Sequence, residues 1–260
     1  STASIVLQSG VPEIQELTQH YAPLVSVARL SRIPTIKAEI ASRGFGEAVP
    51  FGFLGYPVSQ AADITAFGGT LVPAGADQEP LVELTREICA RMNRMAGREV
   101  LARPDIILSR TPRLPGISGG EKMSKSAGNA IFLGDAPDVL RQKVMAMYTD
   151  PDHLRVSDPG KVEGNVVFAC LFAFDPDQEE VARLADRYRQ GGLGDVVLKR
   201  RLVEVLDGVL APIRAERERL MADPGHLLDV LRAGTATGRE RAARTLSDVR
   251  SSFGLIDLDD

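Results

Sequence analysis

Thr70-Leu71-Val72-Pro73, a short apolar run, leads into Ala74-Gly75-Ala76-Asp77-Gln78. A segment from Leu81 to Met95 follows, whose apolar residues Leu81, Leu84, Ile88, Met92 and Met95 recur at helical spacing. A strand, a turn with a glycine and an acid–amide pair, and an amphipathic helix make a βα unit. Units of this kind, in which strands alternate with helices, imply a parallel α/β sheet. In such a sheet ligands bind beyond the carboxyl ends of the strands, so Gly75, Asp77 and Gln78 are candidate ligand contacts, and Asp77 or Gln78 could accept from a ribose hydroxyl.

The same alternation extends toward the start of the chain. Ser4 to Leu7 reads as a short buried strand ending at Gln8-Ser9-Gly10, and Val11-Pro12-Glu13 opens a helix with proline at an early position and a carboxylate in the first turn. Further helices are expected from Val25 to Arg32, from Thr35 to Ala41 and from Val58 to Ile64, the last issuing from Gly55-Tyr56-Pro57 and closed by Gly68-Gly69. From Asp138 onward the pattern is helical, with helices expected near 138–148, 164–174, 179–188, 195–221, 226–232 and 239–253. The expected organisation is a Rossmann-like nucleotide-binding domain over residues 1–136, incomplete at its N-terminus, and an all-helical domain over 137–260.

Composition narrows the function classes. The chain has 260 residues, 44% apolar and 25% charged, which suits a soluble globular protein with one large core or two moderate ones. A net charge of −4 argues against wholesale electrostatic capture of nucleic acid, although a local basic face can bind a folded RNA. No apolar stretch reaches the roughly 20 residues that span a bilayer, and Ser1-Thr2-Ala3-Ser4 lacks signal-peptide character, so the expected location is the cytoplasm. Cys89 and Cys170 lie far apart in apolar helical patterns and read as buried thiols; His20, His153 and His226 are too scattered to suggest a metal site.

Two further constellations carry chemistry. Tyr56, Gln60 and Asp63 fall at i, i+4 and i+7, placing three hydrogen-bonding side chains on one face of an otherwise Ala, Val and Ile helix. A carboxylate there needs a partner, and a ligand N–H or ammonium group would serve. Glu121-Lys122-Met123-Ser124-Lys125-Ser126-Ala127-Gly128-Asn129, entered through Gly119-Gly120, sets two ammonium groups three residues apart with serine hydroxyls between and after them. That arrangement is a cationic clamp for a polyphosphate, and it does not fit a P-loop, since no Gly-x-x-x-x-Gly-Lys-Ser/Thr frame can be laid over it. Lys37, in a mostly apolar segment, either snorkels or reaches a phosphate.

Taken together, these segments resemble one family. Gly55-Tyr56-Pro57-Val58-Ser59-Gln60-Ala61-Ala62-Asp63-Ile64, Val72-Pro73-Ala74-Gly75-Ala76-Asp77-Gln78, Glu83-Leu84-Thr85-Arg86 and Lys122-Met123-Ser124-Lys125-Ser126 occur in the order and approximate spacing of tryptophanyl-tRNA synthetases, which are class I aminoacyl-tRNA synthetases. Ile5-Val6-Leu7-Gln8-Ser9, Asp158 to Asn165 and Gly191 to Asp195 are similar to that family as well. The resemblance implies a tryptophan pocket containing Tyr56, Gln60 and Asp63, with Asp63 accepting from the indole N–H. It also implies a loop on the ATP phosphates containing Lys122, Met123, Ser124, Lys125 and Ser126, a ribose-side loop containing Gly75, Asp77 and Gln78, and a phosphate-reaching Lys37. ATP and Mg2+ are implied, as are tryptophan, tRNA(Trp) and a homodimer. The activity implied is ATP-dependent formation of tryptophanyl-adenylate followed by transfer to tRNA.

The family's His-x-Gly-His-type signature is absent, and the chain is expected to begin after it, so this polypeptide alone is expected to show little ATP–pyrophosphate exchange. Tyrosyl-tRNA synthetases share a Tyr-x-x-x-Gln-x-x-Asp helix face, so Tyr56, Gln60 and Asp63 leave the amino acid open; the Gln-Ala-Ala-Asp-Ile wording and the Asp158-Pro159-Gly160-Lys161 segment favour tryptophan. The other alternative is a shortened, adenylation-impaired paralogue with an RNA-binding or regulatory role. For it, Lys199-Arg200-Arg201 and the Arg214, Arg217 and Arg219 stripe are candidate phosphate contacts, interleaved with Glu204, Glu216 and Glu218.

Overall fold

The computed structural model describes residues 3–255 apart from Arg110, Pro112, Arg113, Glu121, Lys122 and Ser126. Its elements, in chain order, are α1 (Glu13–Tyr21), α2 (Val27–Ser31), α3 (Pro34–Arg43), α4 (Phe51–Ala66), β1 (Leu71–Ala74), α5 (Glu79–Ala96), β2 (Asp105–Leu108), α6 (Pro137–Met145), α7 (Val166–Phe174), α8 (Gln178–Gln190), α9 (Asp195–Met221) and α10 (Pro224–Ser252). Two compact units result: residues 1–109 together with 225–260, and residues 110–224. These are units of packing, and they divide the chain differently from the functional division expected at 136/137.

In the first unit β1 and β2 pair in parallel, with Leu71 opposite Asp105 and Ala74 opposite Leu108, and α5 forms the crossover. The β-strand, turn and helix read from Thr70 to Met95 are thus present, in a parallel α/β arrangement that among the described residues is two strands wide. The α5–β2 connection is closed by Asn93, whose Oδ1 accepts from the N–H groups of Val100 and Leu101, both at 2.9 Å. Arg86 on α5 donates through Nε to the Pro104 carbonyl at 2.7 Å and pairs with Asp105 at 2.8 Å, which fixes the start of β2. The core of this unit is formed by Ile14, Leu17 and Tyr21 of α1, Leu54, Val58, Ala61 and Ala62 of α4, Leu81, Leu84, Ile88 and Met92 of α5, and Ala242, Leu246 and Val249 of α10. Fully burying one such leucine or isoleucine contributes about 1.5–3 kcal/mol, so these facing stripes, more than the small sheet, hold the unit together. Inside it Tyr21 Oη and Thr65 Oγ1 share a hydrogen bond of 2.8 Å, and burial raises the Tyr21 phenol far above its ordinary range.

Three expectations are corrected here. Residues 4–7 form no strand; Ile5 and Leu7 are exposed, and the segment lies along α10, where the Leu7 N–H donates to Thr235 Oγ1 at 3.0 Å. The helix expected from Val58 already begins at Phe51, because Pro50 supplies an extended N-cap and Pro57, lacking an N–H, is tolerated inside the helix at a buried position. The separate helices expected over 226–232 and 239–253 are one helix, α10. Gly234 and Gly238, which fall between the two expected helices, are points of close approach: a Cβ on Gly234 would lie 2.1 Å from the Ile5 carbonyl oxygen, and one on Gly238 2.9 Å from a Val6 methyl.

The second unit is helical. Leu140 and Val144 of α6, Val166, Val167, Phe168 and Leu171 of α7, Tyr188 of α8 and Leu198, Leu202, Leu206 and Leu210 of α9 form its core. Asn165 caps α7 by accepting from the Val167 and Phe168 N–H groups at 3.0 and 3.4 Å, and Asp177 caps α8 by accepting from Glu180 N–H at 2.9 Å. Cys89 and Cys170 are free and buried in their respective units, and burial pushes both thiols up to about 11. No helix among the described residues is long and apolar enough to cross a membrane.

Candidate functional site

Helix α4 brings Tyr56, Gln60 and Asp63 onto one face, as their spacing requires, and all three are half-buried. Asp63 already has a partner within the chain. The Gln8 amide Nε2 donates to its Oδ1 at 2.7 Å. Burial raises the Asp63 pKa, and the Gln8 hydrogen bond opposes that by favouring the ionised carboxylate. Tyr56 packs its ring edge-to-face with Phe53 at 5.8 Å between centroids, and burial, followed by the charge of Glu39, raises its phenol while Arg43 lowers it. Tyr56 also borders an open cleft of about 430 Å3 between α1, α2 and α4, lined by Ala22, Val25, Leu30, Phe51 and Leu54.

The βα turn after β1 reaches this face. Gly75 caps a 3-10 turn over Ala76–Gln78, and Gln60 Nε2 donates to Gln78 Oε1 at 3.2 Å. Gln78 Nε2 in turn donates to Asp77 Oδ2 at 3.1 Å, while the Asp77 carbonyl accepts from Thr35 Oγ1 at 2.9 Å. A string of hydrogen bonds therefore runs from the α4 face through the turn to the first turn of α3. Lys37 is exposed one half-turn beyond Thr35 on that helix. Sequence reading found the members of this string separately; their union is a product of the fold.

In the second unit, Glu121, Lys122 and Ser126 of the lysine loop lie outside the described residues. The rest of the loop is held at its feet. Met123 N–H donates to the Leu114 carbonyl at 3.0 Å, Ser124 N–H to Asn129 Oδ1 at 2.8 Å, and Ile117 N–H to the Asn129 carbonyl at 3.0 Å. Asn129 is 4% exposed and presses on Gly116, where a Cβ would lie 2.1 Å from its Nδ2. Gly119, Gly120 and Gly128 take positive φ values of 81°, 72° and 65°, which let the chain reverse on either side of the exposed Lys125.

A profile of the family described as tRNA synthetases class I (W and Y) matches residues 1–211. The chain belongs to this family. It is 50% identical over 258 residues to the tryptophan--tRNA ligase of Streptococcus pneumoniae serotype 4, covering 97% of this chain and 76% of that protein. The tryptophan--tRNA ligase of Streptococcus pyogenes serotype M3 is 49% identical, again over 258 residues, with the same coverage. Among solved structures, the tryptophanyl-tRNA synthetase of Campylobacter jejuni complexed with ADP and tryptophan is similar at a TM-score of 0.74 and 29% identity, covering 96% of this chain and 76% of that one. A tyrosyl-tRNA synthetase from Aeropyrum pernix shares the fold at a TM-score of 0.56 and 24% identity, over 94% of this chain and 64% of its own.

Within this class I fold the basic residues once candidates for RNA contact divide into two groups. Lys199 Nζ donates to the Met145 carbonyl at 2.9 Å and its pKa is lowered by burial, Arg201 forks onto Asp175 at 2.7 and 3.2 Å, Arg214 pairs with Asp207, and Arg219 pairs with Glu216. Arg200 and Arg217 face solvent. The residues missed by sequence reading are Gln8 and Asn129. Gln8 sat in a quoted segment and Asn129 in the loop itself, but an isolated amide carries no signal until its partner is known.

Proposed function

We infer that this chain carries the amino-acid-activating and tRNA-charging chemistry of a tryptophan--tRNA ligase. The observation that carries the reading is the Gln60–Gln78 hydrogen bond, which joins the polar face of α4 to the turn at the carboxyl end of β1, so that an amino-acid subsite and a nucleotide subsite adjoin. The S. pneumoniae relative, 50% identical, supports tryptophan as the amino acid.

In this reading the tryptophan indole N–H donates to Asp63, with Tyr56 and Gln60 beside it. Gly75, Asp77 and Gln78 take the ATP ribose side. Lys122, Met123, Ser124, Lys125, Ser126 and Lys37 take the phosphates. Mg2+ enters with the ATP phosphates as part of the substrate. The tryptophan carboxylate oxygen bonds to the α-phosphorus, the bond from that phosphorus to the bridging oxygen breaks, and pyrophosphate leaves. A hydroxyl of the terminal tRNA ribose then bonds to the activated carbonyl carbon and AMP leaves. No protein nucleophile is used; positioning and ammonium groups that meet the charge on the departing pyrophosphate supply the acceleration. Residues 1–136 form the catalytic part and residues 137–260 the tRNA (anticodon)-binding part of a cytoplasmic homodimer.

The test is ATP–pyrophosphate exchange and tRNA charging by the protein bearing this chain. Exchange driven by tryptophan and not by tyrosine supports the reading. Exchange driven equally by tyrosine, or tRNA binding with no ATP binding, overturns it. Because the chain contains no tryptophan, the bound amino acid is read directly by its own fluorescence.

A further inference from the structure

We propose that Gln8 is a positioning residue for the amino-acid side of the site, its amide clamping Oδ1 of Asp63 while α10 holds the turn that carries it. Gln8 opens a 3-10 turn, Gln8–Gly10, between residues 3–7 and α1, with Leu7 in the extended region before it. No strand pairing fixes that segment; α10 does. The Leu7 N–H donates to Thr235 Oγ1, whose hydroxyl is itself committed to the Leu231 carbonyl at 2.7 Å, so that its free lone pairs are turned to Leu7. The bare Cα of Gly234 admits the Ile5 backbone, and a Cβ on Gly10 would lie 2.7 Å from the Thr235 methyl carbon. With the turn seated in this way, Gln8 Nε2 reaches Asp63 at 2.7 Å.

Among the described residues only burial and the Gln8 amide act on Asp63. Charged groups of the neighbouring helices are engaged with one another: Glu13 with Arg239 and Glu16 with Arg250 between α1 and α10, Glu16 also with His20 one turn along α1, and Arg29 with Glu87 between α2 and α5. A neutral donor on one carboxylate oxygen keeps the group ionised and fixes its plane. Among the described residues it leaves Oδ2 as an acceptor with no competing side-chain donor, which suits a ligand N–H that donates and accepts nothing. The proposal rests on the reading that Asp63 accepts from the indole N–H.

The experiment is the tryptophan dissociation constant as a function of pH, in the protein bearing this chain. Affinity should fall with falling pH as Asp63 takes up a proton. In Gln8→Leu the ionised carboxylate has lost a donor, so this acid limb should move to higher pH. At neutral pH the affinity should drop about tenfold, with the KM for ATP unchanged. Thr235→Val should move the limb in the same direction by less. An acid limb of Gln8→Leu that superimposes on the unmodified protein overturns the proposal. If Asp63→Asn retains both affinity and acid limb, the underlying assignment of Asp63 fails, whatever Gln8 does.

Discussion

The face of α4 and the lysine loop are built on opposite principles. On α4 the functional side chains sit on one helix and are tied by side-chain hydrogen bonds to Gln8 and Gln78. In the loop the ties are made at its feet by backbone N–H groups and Asn129, and Lys125 is left exposed. The difference follows from what each has to recognise. A donor on a flat ring must be met at a fixed angle, whereas a polyphosphate whose charge shifts during reaction is served by an ammonium group on a flexible stem. Errors of an ångström should therefore be costly at α4, and loss of charge should be costly at the loop.

Lys125→Ala removes charge without touching packing, so exchange should fall by about 100–1000-fold while the melting temperature stays unchanged; an equal loss of kcat in Lys125→Arg would show that shape, not charge, matters there. Gly116→Ala drives a Cβ into Asn129. It should cost about 1–3 kcal/mol by overpacking and raise the KM for ATP while leaving tryptophan affinity intact. The same change at two helical glycines separates close approach from mere flexibility. Gly234→Ala meets the Ile5 carbonyl and should destabilise by about 1–3 kcal/mol, with loss of tryptophan affinity through Gln8. Gly208→Ala, on an exposed turn of α9 with open space around it, should instead stabilise by about 0.5–1 kcal/mol in denaturant unfolding. The smallest effect concerns pH. The Arg250 guanidinium holds the Glu16 carboxyl below its usual range. The pair's contribution is thus present above the ordinary glutamate pKa and is lost as pH falls through the lowered one. At this partly exposed site it is worth at most about 1 kcal/mol, and Arg250→Gln should remove it.

Much of the fold was legible. Thr70 to Met95 gave strand, turn and helix because alternation and helical periodicity are local properties, and α9 was readable over its whole length for the same reason. Residues 4–7 were misread because an apolar, β-branched run looks alike whether it pairs with a strand or lies on a helix. Residues 233–238 fell between two expected helices because glycine marks both breaks and close contacts, and only the neighbour's position separates the two. At the site the types and spacings of Tyr56, Gln60 and Asp63 were readable from the helix period alone. Gln8, 55 residues from Asp63, was not.

By itself the sequence determined the family, the parallel βα unit and the chemical character of each candidate contact, since these reside in residue type and short spacing. The tertiary structure decided which amides meet which carboxylate, that the last helix belongs to the first unit, and that half of the basic residues on α9 are spent on internal pairs. Partners far apart in sequence are chosen by the packing of apolar faces, and a polar side chain acquires its role only once that packing has set its neighbours.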